Sequence, residues 1–114
     1  MNSDRIYLEQ ILTCIERIEL YTEAGEHNFL HHIQIQDAVY RNFEVIGEKT
    51  KKISSGTKQK SPTTPWSDLA DLREVLTDDV DPKEVWAIIE TYLSDFKKAV
   101  RSLLTQLESN DISE

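Results

Sequence analysis

The sequence predicts an all-α protein, an antiparallel bundle of four main helices. Three observations carry this. Apolar residues recur at spacings of three and four through most of the chain, the period of one helix face. Only three glycines and three prolines occur in 114 residues, which leaves long stretches free of helix breakers. No segment alternates apolar and polar residues over a useful length, so strands are not expected.

The first helix is expected over 4–24, with Ser3 as N-cap and Ile6, Ile11, Cys14, Ile15, Ile18 and Tyr21 on its inner side. The segment "AGEHN" then breaks it. A second helix is expected over 31–54, buried along Ile35, Ala38, Val39, Phe43, Ile46 and Ile53, and "SSGTKQKSPTTP" ends it and forms the longest loop. The third helix opens at "TPWSDL", with Thr64 at the N-cap and Pro65 at N1, where the missing N–H costs nothing. Its apolar side is Trp66, Leu69, Ala70, Leu72 and Leu76. The fourth opens at "DPKE" with Asp81 as N-cap, Pro82 at N1 and Glu84 at N3, an Asp variant of the capping box. Its stripe is the strongest in the chain: Val85, Ile88, Ile89, Tyr92, Phe96, Ala99, Val100, Leu103, Leu104 and Leu107. About 25 residues at 1.5 Å each make a rod of roughly 37 Å.

These elements make one bundle domain over 1–108, followed by a polar tail at 109–114 that is expected to fray. A chain of this size has limited means to cover four long stripes, so a homodimer is expected. No apolar run approaches the roughly 20 residues that span a bilayer. The polar start "MNSDRIYLEQ" gives no signal peptide, and the single cysteine, Cys14, cannot form an internal disulfide. A reduced, cytoplasmic setting is therefore expected.

The net charge of −8 counts against generic nucleic-acid binding, though it leaves room for RNA at a locally basic cleft. Lys49, Lys51, Lys52, Lys58 and Lys60 crowd together, more simply as a solvated helix end and loop. His27, His31 and His32 are close in sequence, but no further ligands complete a metal site, and no metal or cofactor is expected. They read as surface histidines. Cys14 reads as a buried thiol, and Trp66 and Trp86 as packing residues. Nothing matches a P-loop, a dinucleotide fingerprint or a nucleophile elbow. Arg73 stands out: a guanidinium at a helix end can hold a phosphate. The alternative is an ion pair with Asp71 or Glu74.

Three stretches go further. "AVYRNFEVIGEKTKKIS" (38–54), "PWSDLADLREVLT" (65–77) and "DVDPKEVWAII" (79–89) resemble, in order, motif segments of the HepT-like toxins, the ribonuclease branch of the HEPN superfamily. The resemblance implies a homodimeric, metal-independent endoribonuclease acting on RNA, partnered by a minimal nucleotidyltransferase (MNT) antitoxin. In that family Arg is followed, four to six residues on, by His-x-Tyr. Arginine and histidine serve cleavage, and the antitoxin transfers AMP to the tyrosine. Here Arg73 carries over, but Thr77 is followed by Asp78, and Val80 stands where the tyrosine belongs. Restoring three residues between Thr77 and Asp78 brings both flanks into register. The stretch therefore reads as a member lacking His-x-Tyr, by deliberate inactivation or natural divergence, and an inactive chain is expected. None of the histidines replaces the missing one by position, and neither Tyr7, Tyr21, Tyr40 nor Tyr92 replaces the tyrosine. The rival expectation is a non-catalytic helical dimer that binds a protein partner.

Overall fold

The computed structural model describes the backbone of residues 2–77 and 79–113, and the side chains of 3–77 and 79–108. Every element in it is helical: α1 (Asn2–Tyr21), α2 (Glu26–Leu30), α3 (Ile33–Lys52), α4 (Ser55–Gln59), α5 (Trp66–Ala70), α6 (Leu72–Val75), α7 (Pro82–Ile88), a π-helical turn (Ile89–Leu93) and α8 (Ser94–Ser113). Helix α1 packs against α3 and α8, α3 also against α5 and α6, and α2 against α7. The body is elongated, 50 × 25 × 20 Å. Among the described residues, no helix is long and apolar enough to cross a membrane.

The four predicted helices are present, with corrections. Helix α1 begins at Asn2, so Ser3 lies inside its first turn and is not its cap. Its inner face is Leu8, Ile11, Ile15 and Ile18, all fully buried, whereas Ile6 is 53% exposed. The 3-4-3 spacing from Leu8 defines one face, and Ile6 falls outside it. Gly25, at φ +97°, stops the chain after Tyr21 in a conformation that side chains disfavour. The supposed break then holds a helix, α2, because Phe29 is fully buried and its ring stands 5.5 Å from that of Trp86. Helix α3 accordingly starts at Ile33, after His31 has closed α2 and His32 has taken the N-cap position.

The third predicted helix is two short ones. Pro65, not Thr64, occupies the N-cap position of α5. Thr64 is unavailable as a cap because its hydroxyl is bonded to that of Ser61 at 2.6 Å. At Asp71 the backbone leaves helical geometry (φ −94°, ψ 9°) before α6. The fourth start holds: Pro82 is at N1, and the Asp81 carboxylate accepts the Lys83 N–H at 2.9 Å. The box is only half made, since the Glu84 N–H goes to the Asp81 carbonyl at 2.9 Å.

The rod from Pro82 is not uniformly α-helical. Val85, Ile89 and Leu93 are buried at spacings of four. In a 3.6-residue helix such residues drift about 40° per step, and the wider i→i+5 turn at Ile89–Leu93 takes up that drift. Leu93 thereby reaches the core, while Tyr92, expected inside, is 49% exposed. Helix α8 continues to Ser113, through most of the expected tail, where no glycine or proline interrupts it.

Candidate functional site

Arg73 lies on α6, and the approach to that helix is set by a glycine. Gly47 lies buried on α3, and a methyl group there would come 3.1 Å from the Leu69 carbonyl oxygen and 3.4 Å from that of Ala70. The close approach of α3 to α5 therefore depends on a residue without a side chain. Leu69 and Leu72 are buried beside it. Arg73, one residue further on, is left pointing away from the core and exposed.

Arg73 makes no ion pair among the described residues; neither Asp71 nor Glu74 engages it. The alternative of a structural salt bridge with those neighbours is thus not what the fold builds. After α6 the chain passes through Leu76 and Thr77 to Val80, held by a bond from the Val80 N–H to the Thr77 carbonyl at 3.0 Å. Leu76 and Val80 pack on the core and Thr77 is exposed. Asp78, the residue found where the histidine is expected, lies outside the described residues.

Beneath this turn is a cavity of about 310 Å³ shared with the first half of α3; its walls include Gln36, Tyr40, Arg41, Glu44, Thr77 and Val80. The Tyr40 hydroxyl is buried there without a hydrogen-bond partner among the described residues. Burial pushes its pKa up, and Asp37 and Asp81 push it further. Arg41 reaches Glu44 at 3.8 Å, a long contact between largely solvated groups. Sequence reasoning set Tyr40 aside because of its position in the chain. Its place inside "AVYR", four residues before Glu44 on the same helix face, is the signal that could have drawn it to the turn.

The other candidates fall where packing puts them. The His27 and His31 rings stack at 4.2 Å, and the three histidines are exposed. The Nδ1 atoms of His31 and His32 lie 2.8 and 2.7 Å from the carbonyls of His27 and Asn28, which ties both rings back to α2. None of them lines the cavity. Among the described residues no three His, Cys, Asp or Glu side chains converge as metal ligands would. Cys14 is buried, and that burial raises its pKa. Trp66 packs edge-on to Phe96 at 6.0 Å, and Trp86 lies against Phe29, so both serve the core. The clustered lysines do not form one cleft: Lys49 and Lys52 stand over the Tyr7 ring, at 5.9 and 5.7 Å, while Lys51 and Lys60 are exposed.

Residues 11–103 match the family model described as "Ribonuclease HepT-like". The chain belongs to the HepT-like ribonuclease family. A "Probable ribonuclease HepT" of Thermococcus cleftensis is 34% identical over 99 residues, covering 83% of this chain and 90% of that relative. A "Putative RNase" of Methanocaldococcus jannaschii is 31% identical over 111 residues, covering 94% and 92%. A "Gamma-glutamylcyclotransferase and putative RNase" of the same organism is 32% identical over 110 residues, 93% of this chain but only 50% of that longer protein. No solved structure matches. In this family member, the residues that shape the fold around the motif are in place: Gly47, Leu69, Leu72, Val85 and Trp86.

Proposed function

We propose that this chain is the toxin-type component of a HEPN/MNT toxin–antitoxin pair whose ribonuclease chemistry has been lost. The observation that carries the reading is an exposed, unpaired Arg73 on a properly seated α6, followed by a turn with neither histidine nor tyrosine. In the intact chemistry an RNA 2′-hydroxyl attacks the adjacent phosphorus, the bond from that phosphorus to the 5′-oxygen of the next nucleotide breaks, and a 2′,3′-cyclic phosphate and a protonated 5′-hydroxyl result. Histidine handles the proton, since its pKa suits the task near neutrality. Arginine stabilises the charged phosphorane. Arg73 alone can supply only the last of these. The active form is a homodimer with both arginines facing one cleft, and the setting is the cytoplasm. The chain retains helix surfaces for a nucleotidyltransferase antitoxin but lacks the tyrosine that would accept AMP.

The test is to insert His, one spacer and Tyr after Thr77. The expected result is a folded dimer that now cleaves RNA, arrests growth and gains the mass of AMP when given its antitoxin and ATP. A folded dimer with neither activity would sink the reading.

One observation favours a second reading, a non-catalytic module that binds a protein. A groove runs from α5 and α6 to the π-helical turn, formed by two adjoining depressions of about 500 and 210 Å³ that share Pro65, Leu69 and Tyr92. Its floor is apolar and its rim carries Asp68, Asp71 and Asp95. Exposed apolar surface of this kind marks an interaction site. Sedimentation of the chain and of Tyr92→Asp tests this face: association lost in the variant assigns it to the groove, and association unchanged assigns it elsewhere.

A further inference from the structure

A second depression, of about 280 Å³, lies between α1 and α3 and is lined by Gln10, Thr13, Cys14, Arg17, Val45 and Lys49. It is electrostatically unlike the rest of the molecule. The chain has 21 acidic against 13 basic residues, yet no carboxylate lines this groove. Arg17 and Lys49 have no ion-pair partner among the described residues. The buried Cys14 thiol at the floor senses the cations around it: burial raises its pKa, and Arg17, Arg41 and Lys49 each pull it back.

The groove and the cavity under the motif turn share no lining residue, but both lie along α3. On α3, Arg41, Val45 and Lys49 follow one another at spacings of four and so share a face, with Arg41 and Lys49 about 12 Å apart along the axis. Arg41 lines the cavity that Thr77 and Val80 close from the other side. Unpaired positive charge on the α1–α3 seam therefore rests on Arg17 and Lys49, and Arg41, toward the turn, shares its charge with Glu44 at 3.8 Å. Asp37 and Glu44 stand at that end, so the cationic support stops there.

We propose that the α1–α3 groove, through Arg17, Arg41 and Lys49, is a subsite for the sugar-phosphate backbone of single-stranded RNA flanking the motif turn. The inference rests on the ribonuclease reading and adds to it a place where the strand is held, separate from the place where it would be cut. A row of cations on a narrow seam suits a strand whose charges repeat along its length. The absent histidine has no bearing on this subsite, so the chain as it stands should still bind RNA there.

The experiment is fluorescence anisotropy of a short labelled oligouridine with the full chain, in low and in physiological salt. The expected result is weak, salt-sensitive binding. The triple variant Arg17→Ala, Arg41→Ala, Lys49→Ala should weaken it about tenfold or more and lower the salt slope by about two. The control pair Lys83→Ala, Lys98→Ala removes exposed charge on α7 and α8 and should change little. Binding that survives the triple variant but is lost on Arg73→Ala overturns the subsite and leaves the ribonuclease reading standing. Equal loss in the control pair, or competition by polyglutamate as effective as by unlabelled oligouridine, also overturns the subsite. No binding in low salt overturns the subsite and counts against RNA as substrate altogether. Should the triple variant lose helicity, the single change Arg17→Gln at an exposed position takes its place, with an expected loss of about threefold.

Discussion

The segment at 53–65, expected as one long loop but holding the short helix α4 capped by Ser54, and the turn at 76–80 are held very differently. The loop is rich in Ser, Thr, Lys and Gly, yet it is fastened at both ends. At its start the buried Asp4 carboxylate accepts the Ser54 N–H at 3.0 Å, the Ser54 hydroxyl at 2.5 Å and the Thr57 hydroxyl at 2.6 Å. At its end the Trp66 indole N–H is shared between the carbonyls of Lys58 and Ser61, at 3.2 and 3.1 Å. The turn has backbone bonds and the packing of Leu76 and Val80, but among its described residues no side-chain hydrogen bond. Polar side chains in the loop are recruited to hold the fold. Those of the turn are not, so they can be given over to chemistry, or removed, without the bundle noticing.

The largest way to break this comparison is to cut the loop's anchor. Asp4→Ala leaves Ser54 and Thr57 donors without their acceptor in a buried site and should cost about 2–3 kcal/mol, read as a lower urea midpoint. The same carboxylate predicts an acid response. Burial alone would raise its pKa, but the bonds from Ser54 and Thr57 outweigh that and hold it below the ordinary aspartate value. A lowered folded-state pKa gives stability that is present above the unfolded value and is lost as pH falls through the folded one. The drop in stability in that acid range should be smaller in Asp4→Asn than in the parent.

Next in size is Gly47→Ala. The added methyl meets backbone oxygens of α5 and α6's approach, not the end of a flexible side chain. Overpacking of this kind costs about 1–3 kcal/mol. The expected outcome is a lower thermal midpoint together with weaker function in the form carrying the restored motif, because α6 and Arg73 shift with α5. An unchanged midpoint would mean that α5 can slide freely.

Asp81→Ala should cost about 1 kcal/mol, the ordinary worth of a helix cap. It sharpens the comparison because Asp81, the N-cap of α7, fixes the far end of the turn without help from the side chains of Leu76, Thr77 and Val80. Loss of helicity extending past the π-helical turn would show that the start of the rod depends on this one cap.

How far all this could be read from the sequence depended on the physics of each element. The long stripe of the last helix was plain, because burial on one face imposes its period directly. Ile6 and Tyr92 were misplaced because an apolar residue near a stripe looks the same whether it is inside or beside it. The π-helical turn, which brings Leu93 in and leaves Tyr92 out, is marked only by the repeated spacing of four at Val85, Ile89 and Leu93, which an ordinary helical stripe also tolerates. Helix α2 was hidden because a five-residue helix is set by one buried contact, Phe29 on Trp86, between residues far apart in the chain. At the site, only the family resemblance singles out Arg73 and the register around Thr77 as parts of a motif. The partnerless Tyr40 hydroxyl was not legible, because only the fold lays α3 beneath the turn. Asp4 was likewise invisible, since its partners Ser54 and Thr57 lie some fifty residues away.

The smallest expected effect is the most discriminating. Inserting Gly-Ser-Gly after Thr77 lengthens the turn by three residues and restores no chemistry. The helices on either side start and stop on their own signals, and loop-closure entropy changes by only a few tenths of a kcal/mol. The unfolding midpoint should hardly move. The same insertion between Ser61 and Pro62 separates the Ser61 and Thr64 hydroxyls and disturbs the carbonyl pair that holds the Trp66 indole. That should cost about 1 kcal/mol, since half-buried polar groups lose their partners. If the two insertions lower the midpoint equally, the turn is as much a structural part as the loop. A loss of His-x-Tyr at this point, as proposed, would then require compensation elsewhere in the bundle. If only the loop insertion is felt, three residues can leave or enter at Thr77 while Gly47 keeps α6 where it is, and an inactive but fully folded family member is the natural consequence.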